Sequence, residues 1–288
     1  MIPAAFDYAR PETVDEAVRT LADARGETKV LAGGQSLLPI LRLRLAFPDL
    51  VVDIGRIPEL RGVREDGDKL VIGAMTTHHA VIHDPLVRQY AGLLAEATAE
   101  VGDPAVRHRG TLGGSLAHAD PASDLPAVVL ALDGELVAAG PQGRRTIPAR
   151  DFFTDYLQTA LEPDELLVEV RLPKTAAADG WGFHYEKFHR VAQSWAIVGV
   201  AAMVRRDDGR ITESRIGLTN MGTTPVRAEA TEAALVGAAA EPDPVARAAE
   251  AAADGTHPSS DVSASPEYRE HLARVLTRRA VLAAARME

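Results

Sequence analysis

Val14, Ala17, Val18 and Leu21 recur one helical turn apart, which predicts a helix with one buried apolar face. Thr13 stands at the N-cap, Glu16 three residues on completes a capping box, and Gly26 supplies the stop. The period then shortens. Lys29–Ala32 and Leu50–Ile54 read as strands. Between them Leu37–Leu45 reads as a helix, with Ser36 near its N-cap and Pro39 tolerated in the first turn. This order predicts a parallel βαβ unit. Leu70–Ala74 is the next strand. Thr76-Thr77 predicts a cap for a short helix through Ile82, and Asp84-Pro85 opens another that places Leu86, Tyr90, Leu93, Leu94 and Ala97 on one face. The pattern breaks at Gly102-Asp103-Pro104. A polar, glycine-bearing stretch runs to Asp124 before Leu125–Leu132 resumes apolar character. Glu135–Ala139, Arg145–Pro148 and Leu166–Leu172 read as short strands of an antiparallel sheet.

Lys174–Gly180 reads as a linker, and beyond it the texture changes. Trp181–Arg190 and Ala196–Arg205 are strands, and Asp207-Asp208-Gly209 turns the second into Thr212–Leu218 as a hairpin. From Ala228 the chain is alanine-rich and helical. Ser265-Pro266 opens a last helix with Leu272, Val275, Leu276 and Leu282 in an apolar stripe. The class is therefore α+β. A boundary near residue 175 divides the chain into two domains, as its 288 residues favour.

Composition narrows the function. No apolar run reaches the roughly 18 residues of a membrane span, and the N-terminus lacks the basic and apolar regions of a signal peptide. Stable membrane insertion is not expected, and the cytoplasm is the expected location. The absence of cysteine removes disulfides, thiolate nucleophiles and cysteine-ligated iron–sulfur clusters from this chain. A net charge of −10 counts against a nucleic-acid backbone binder. His78, His79, His83, His108 and His118 crowd the first half without a metal-binding motif, so no metal site is expected. His78 and His79 read as helix-start or surface residues. Arg107-His108-Arg109 either faces an acidic ligand or forms a solvated charge run.

Two glycine pairs carry the chemistry: Ala32-Gly33-Gly34-Gln35-Ser36 and Thr111-Leu112-Gly113-Gly114-Ser115. Glycine admits a left-handed turn and removes the Cβ that would keep a ligand from the backbone, so main-chain N–H groups can approach a diphosphate. Ser36, Thr111 and Ser115 add hydroxyls. Neither segment has Rossmann or P-loop spacing, and either alone is compatible with an ordinary tight turn.

The runs KVLAGGQSLLP and RGTLGGSLAHADPASDLP, with Glu165-Leu166-Leu167 and Lys187, resemble the flavoprotein subunit of the xanthine dehydrogenase and aerobic CO dehydrogenase family over nearly the whole chain. The resemblance implies a two-part FAD-binding domain of the vanillyl-alcohol-oxidase (PCMH) type over residues 1–175, with subdomains of about 1–55 and 56–175. A smaller domain like the CO dehydrogenase flavoprotein C-terminal domain, of antiparallel sheet and helices, would follow over 176–288. Val30, Leu31, Ala32, Gly33, Gly34, Gln35, Ser36 and Leu37 would wrap the diphosphate of FAD. Thr111, Leu112, Gly113, Gly114 and Ser115 would grip it from the other side. Asp124 would lie near the adenosine ribose; a helix N-cap is its other reading, and both can hold. Leu167 would pack on the flavin and Lys187 would lie near FAD. Val101 sits where relatives often carry an aromatic against the ring. Trp195 sits where relatives have a flavin-edge residue, with a plain core tryptophan as the alternative.

The resemblance also implies partners. A small subunit would carry two [2Fe–2S] clusters, and a large one would carry a molybdopterin-type molybdenum cofactor where substrate is hydroxylated. Electrons would reach FAD on this chain singly and leave to an external acceptor. The complex would be a dimer of heterotrimers, and no residue of this chain would be catalytic. The alternatives are a stand-alone FAD-dependent oxidase or dehydrogenase with its own substrate pocket, and a non-catalytic nucleotide-binding or assembly protein.

Overall fold

The computed structural model describes residues 2–175 and 179–286. Three parallel strands open the chain: β1 (Asp7–Ala9), β2 (Thr28–Leu31) and β3 (Leu50–Asp53), in the order β1-β3-β2. Helix α1 (Val14–Asp23) joins the first two. The Thr13 side chain accepts from the Glu16 amide at 3.2 Å. Its four predicted apolar residues are buried against Val52, Ile54 and Val168. Helix α2 (Leu37–Leu43) joins β2 to β3. It ends two residues earlier than the sequence predicts because Arg44 takes a left-handed φ of 57°. Ser36 occupies its N-cap position, but its hydroxyl makes no capping bond.

A five-stranded antiparallel sheet follows. It comprises β4 (Val63–Asp66), β5 (Lys69–Gly73), β6 (Glu135–Gly140) and β7 (Gly143–Pro148), completed by β10 (Leu166–Pro173) at its centre, in the order β4-β5-β10-β6-β7. A short helix α3 (His78–His83) follows β5, capped by Thr77 rather than Thr76. The next predicted helix is two, α4 (Pro85–Tyr90) and α5 (Gly92–Ala99), broken where Ala91 leaves helical geometry at φ −143°, ψ 48°. A Cβ on Gly92 would lie 2.2 Å from the Phe183 ring, so the break seats α5 against the second domain. The stretch from 103 to 124 is also more regular than its polarity suggests. It forms α6 (Pro104–Arg109), capped by Asp103, and α7 (Leu112–His118), capped by Thr111. Both are under two turns long, too short for periodicity to register. Helix α8 (Asp124–Ala131) is buried along its whole length. Helix α9 (Ala149–Phe152) and the hairpin β8 (Phe153–Asp155) and β9 (Gln158–Thr159) lie between β7 and β10.

The predicted linker is anchored at its start. The Lys174 ammonium reaches Glu65 at 2.6 Å and the Thr175 amide donates to the Tyr90 carbonyl at 3.0 Å. Its centre, residues 176–178, lies outside the described residues. A four-stranded antiparallel sheet follows: β11 (Trp181–Phe188), β12 (Val198–Asp207), β13 (Arg210–Thr219) and β14 (Val226–Arg227). Helices α10 (Glu229–Leu235), α11 (Pro242–Ala249) and α12 (Pro266–Ala284) share a core with Val198, Val200, Ile216 and Leu218 of this sheet. Trp181, Tyr185, Ala201 and Met203 join Leu93, Leu94, Leu125 and Val128 in the other core. This sheet is thus buried on both faces and holds β11 beside α5 and α8.

Candidate cofactor site

A cavity of about 700 Å³ runs between the three-stranded layer, helices α3, α6, α7 and α8, and the loop joining β11 to β12. That volume lies within the range of small-molecule clefts. Every site residue expected from the sequence lines it except Leu31 and Leu112. Leu112 is fully buried in the core, and its amide donates to the Thr76 carbonyl at 3.0 Å.

The two glycine segments are not equivalent. Among the described residues, the amides of Gly33, Gly34, Gln35 and Ser36 donate to no protein group. Gly34 has φ +75°, the left-handed turn that only glycine adopts freely, and such a curl gathers successive amides into an anion-binding concavity. At the second segment the amides are spent internally. Gly113 donates to the Ala74 carbonyl at 2.8 Å, Gly114 to the Thr111 hydroxyl at 3.1 Å, and Ser115 to the Thr111 carbonyl at 3.1 Å. The second segment therefore offers the Ser115 hydroxyl and a close wall, and the first offers the free donors. The segments also meet. A Cβ on Gly33 would lie 2.2 Å from the Arg109 carbonyl oxygen and 2.7 Å from Gly110 Cα. Gly114 faces Ala32, whose Cβ is 3.3 Å from the place a Gly114 Cβ would take.

Asp124, Lys187 and Tyr185 form a buried triad across the two domains. Asp124 is 5% exposed. One of its oxygens accepts from the Tyr185 hydroxyl at 2.6 Å and the other from the Lys187 ammonium at 2.8 Å. Lys187 also donates to the Glu100 carbonyl at 3.0 Å. Burial pushes the Asp124 carboxyl above its usual range, against the pull of Lys187 and Tyr185, and it pushes the Tyr185 hydroxyl well above 10. The helix N-cap reading of Asp124 does not hold, although the residue does line the cavity. Ser123 holds the N-cap position of α8, and both Asp124 oxygens face the second domain's side chains. Tyr185 was not anticipated; it lies two residues before Lys187 on β11 and so on the same face of the strand.

Leu167 lines the cavity from β10, beside an irregularity that shifts the strand's register between Leu167 and Glu169. Val101 is half-buried after α5. Trp195 is 53% exposed, which excludes a core tryptophan, and it lines the cavity with Gln193 and Ser194. The Gln193 amide group donates to Asp103 at 3.0 Å and ties this loop to the first domain. Arg107 is turned inward to the Val101 carbonyl at 3.0 Å, and the His108 ring stacks on His79 with centroids 4.1 Å apart, so the Arg107–Arg109 run is not a simple solvated face. His78 is not at the surface but buried beside Gly110.

The family described as the FAD binding domain in molybdopterin dehydrogenase matches residues 4–175, and that described as the CO dehydrogenase flavoprotein C-terminal domain matches residues 183–284. The chain is 43% identical over 284 residues to the carbon monoxide dehydrogenase medium chain of Hydrogenophaga pseudoflava, covering 99% of this chain and 98% of that one. It belongs to the family of FAD-binding medium subunits of molybdenum hydroxylases.

The solved structures agree on the whole architecture of the medium subunit. The Hydrogenophaga pseudoflava carbon monoxide dehydrogenase that lacks the Mo-pyranopterin moiety superposes with a TM-score of 0.95 at 45% identity, covering 99% of this chain and 98% of that chain. Quinoline 2-oxidoreductase from Pseudomonas putida 86 superposes with a TM-score of 0.94 at 35% identity, covering 99% and 98%. The medium subunit is thus an oxidoreductase subunit with an FAD-binding domain. The cavity suits that dinucleotide: four unspent amides and the Ser115 hydroxyl present donors, and Leu167, Val101 and Trp195 add apolar surface to its lining. Among the described residues no helix is long and apolar enough to cross a membrane.

Proposed function

We propose that this chain is the electron-transfer subunit of a cytoplasmic molybdenum hydroxylase assembled as a dimer of heterotrimers. FAD would sit on this chain, two [2Fe–2S] clusters on a small partner subunit, and a molybdopterin-type molybdenum cofactor on a large one where substrate is oxidised. Residues 1–175 would form the FAD-binding domain and 176–288 its C-terminal companion. The observation that carries the reading is one cavity in which the free amides of Gly33–Ser36 and the flavin-edge candidates Leu167, Val101 and Trp195 converge. Bound there, FAD supplies a carrier that takes electrons singly and releases them singly or in pairs.

The chain's own residues position and screen it. The Gly33–Ser36 amides would hold the diphosphate, and Ser115 would add a hydroxyl donor. The Asp124–Lys187–Tyr185 triad fixes β11 against α8 and so places the β11–β12 loop, with Trp195, over the cavity. The test is co-expression with small and large partner chains. The isolated complex should contain flavin, iron and molybdenum, and adding substrate anaerobically should bleach the flavin absorbance. Bleaching by substrate of this chain alone would support a stand-alone dehydrogenase instead.

A further inference from the structure

His78 has a ring environment that the site described above does not use. It is 4% exposed, and its main-chain amide donates to the Gly110 carbonyl at 2.9 Å. Its Nδ1 is wholly buried and has no hydrogen-bond partner. The opposite edge faces Gly110: a Cβ built there would lie 2.7 Å from His78 Cδ2 and 3.0 Å from Nε2. Gly110 and His78 both line the cavity, and Gly110 is the residue whose Cα abuts Gly33. The Nε2 edge therefore lies at the seam between the two glycine segments. Among the described residues Nε2 donates to no protein group, and it is not among the wholly buried unpartnered atoms that include Nδ1.

The two ring nitrogens of a neutral imidazole divide one proton, and surroundings decide which carries it. A buried N–H without an acceptor is rarer in folded proteins than an acceptor without its full complement of donors. The proton thus belongs on Nε2 and leaves Nδ1 as a bare lone pair. Burial, and then the nearby Arg107 charge, hold the His78 pKa down at about 4, so the ring is neutral at physiological pH.

We propose that His78 is a binding residue for the dinucleotide: its Nε2–H donates to an oxygen of the diphosphate held by the Gly33–Ser36 amides. This rests on the FAD reading above. It adds a side-chain donor at a place where the second glycine segment has spent its own amides on the fold.

The test combines one spectrum and two variants of the full-length chain. Nitrogen-15 histidine spectra of the wild-type protein should show His78 as the neutral Nε2–H tautomer, with its Nε2–H resonance moving when ADP or FAD is added. An Nδ1–H tautomer overturns the proposal whether or not the protein binds flavin. His78→Gln keeps an N–H near the Nε2 position and should bind ADP and FAD within about threefold of wild type, while His78→Leu should weaken both by about tenfold or more. Equal weakening of ADP, which lacks the flavin, assigns the contact to the diphosphate half. A His78→Leu protein that melts as wild type and binds both ligands with unchanged affinity overturns the proposal. Should His78→Leu not fold, the tautomer and the Gln variant decide it, since a folded Gln variant that loses tenfold also contradicts it. Wild-type protein that takes up neither ligand, alone or co-purified with its small and large partners, refutes the FAD reading and this proposal with it, whereas wild-type protein or complex that holds FAD with an Nδ1–H tautomer at His78 overturns this proposal alone.

Discussion

Gly33→Ala is the smallest change that should separate the two halves of the diphosphate site. The added methyl would lie 2.2 Å from the Arg109 carbonyl oxygen, where ordinary contact begins at 3.4 Å, so the shortfall is about 1.2 Å. Both nearest groups, Arg109 O and Gly110 Cα, are backbone atoms and cannot rotate away. Either the core absorbs the strain, at roughly 1–3 kcal/mol for overpacking, or the 33–36 loop moves off by about an ångström. A displacement of that size removes one or two amide donors from a phosphate oxygen, each contributing roughly 1.5–3 kcal/mol when the acceptor is charged. FAD affinity should then fall by about 10- to 10,000-fold, since 1.4 kcal/mol is a factor of ten. Flavin fluorescence titration against wild type measures it, with a thermal melt to show that the variant is folded. Gly33→Ala protein that retains one FAD per chain through desalting, with wild-type affinity, would refute the contact-based reasoning.

Three further outcomes follow from the same geometry. Lys187→Met leaves the 5%-exposed Asp124 without its cation and should destabilise the protein by about 3–5 kcal/mol in urea unfolding, with Asp124→Asn restoring most of the loss in the double variant; equal stability of single variant and wild type would contradict the triad. His184 is bonded to Glu186 at 3.1 Å and Glu96 at 2.7 Å, which raise its pKa from 6.5 to about 9, while Arg279 reaches Glu186 from α12. Because the folded value is raised, this stabilisation is complete below about pH 6.5 and is lost as pH rises through about 9; allowing for solvent screening it amounts to about 1–2 kcal/mol, and His184→Leu should abolish that slope in stability against pH. Trp195→Ala should leave stability within about 0.5 kcal/mol, as for a surface change. It should also remove most of the tryptophan quenching that FAD produces, since Trp181 is the only other tryptophan; undiminished quenching would place the flavin elsewhere.

Much of the architecture is legible because it rests on local rules. The Thr13 N-cap, the apolar stripe of the first helix and the Asp-Asp-Gly hairpin each carry their own short-range signal, although Glu16 closes its half of the expected box on the Glu12 amide rather than on that of Thr13. The misses have physical causes. The three residues of β1 are too few to show alternation. The break at Ala91 answers to Phe183, far along the chain, and no local pattern could announce it. Helices α6 and α7 are too short for a period, and α7 begins with the glycine pair that reads as loop. The candidate site divides in the same way. Its glycine segments are written contiguously and could be found as motifs. Their unequal use of amides could not, because it depends on where the strand ending at Gly73 delivers the Ala74 carbonyl. The Lys187–Asp124 pair joins residues 63 apart and becomes visible only when β11 packs on α8. His78 does start a helix, as its place after Thr77 suggests, but its burial comes from tertiary packing against Gly110, which no local pattern shows.

The flavin content of the purified chain, alone and co-purified with its small and large partners, tests the account most directly. One FAD per chain is predicted in at least the complex, seen as a two-band visible spectrum that reduction bleaches and that a Gly33→Val plus Gly113→Val double variant lacks. Protein that takes up no FAD in either state, or a folded double variant that keeps it, would contradict the assignment of this cavity.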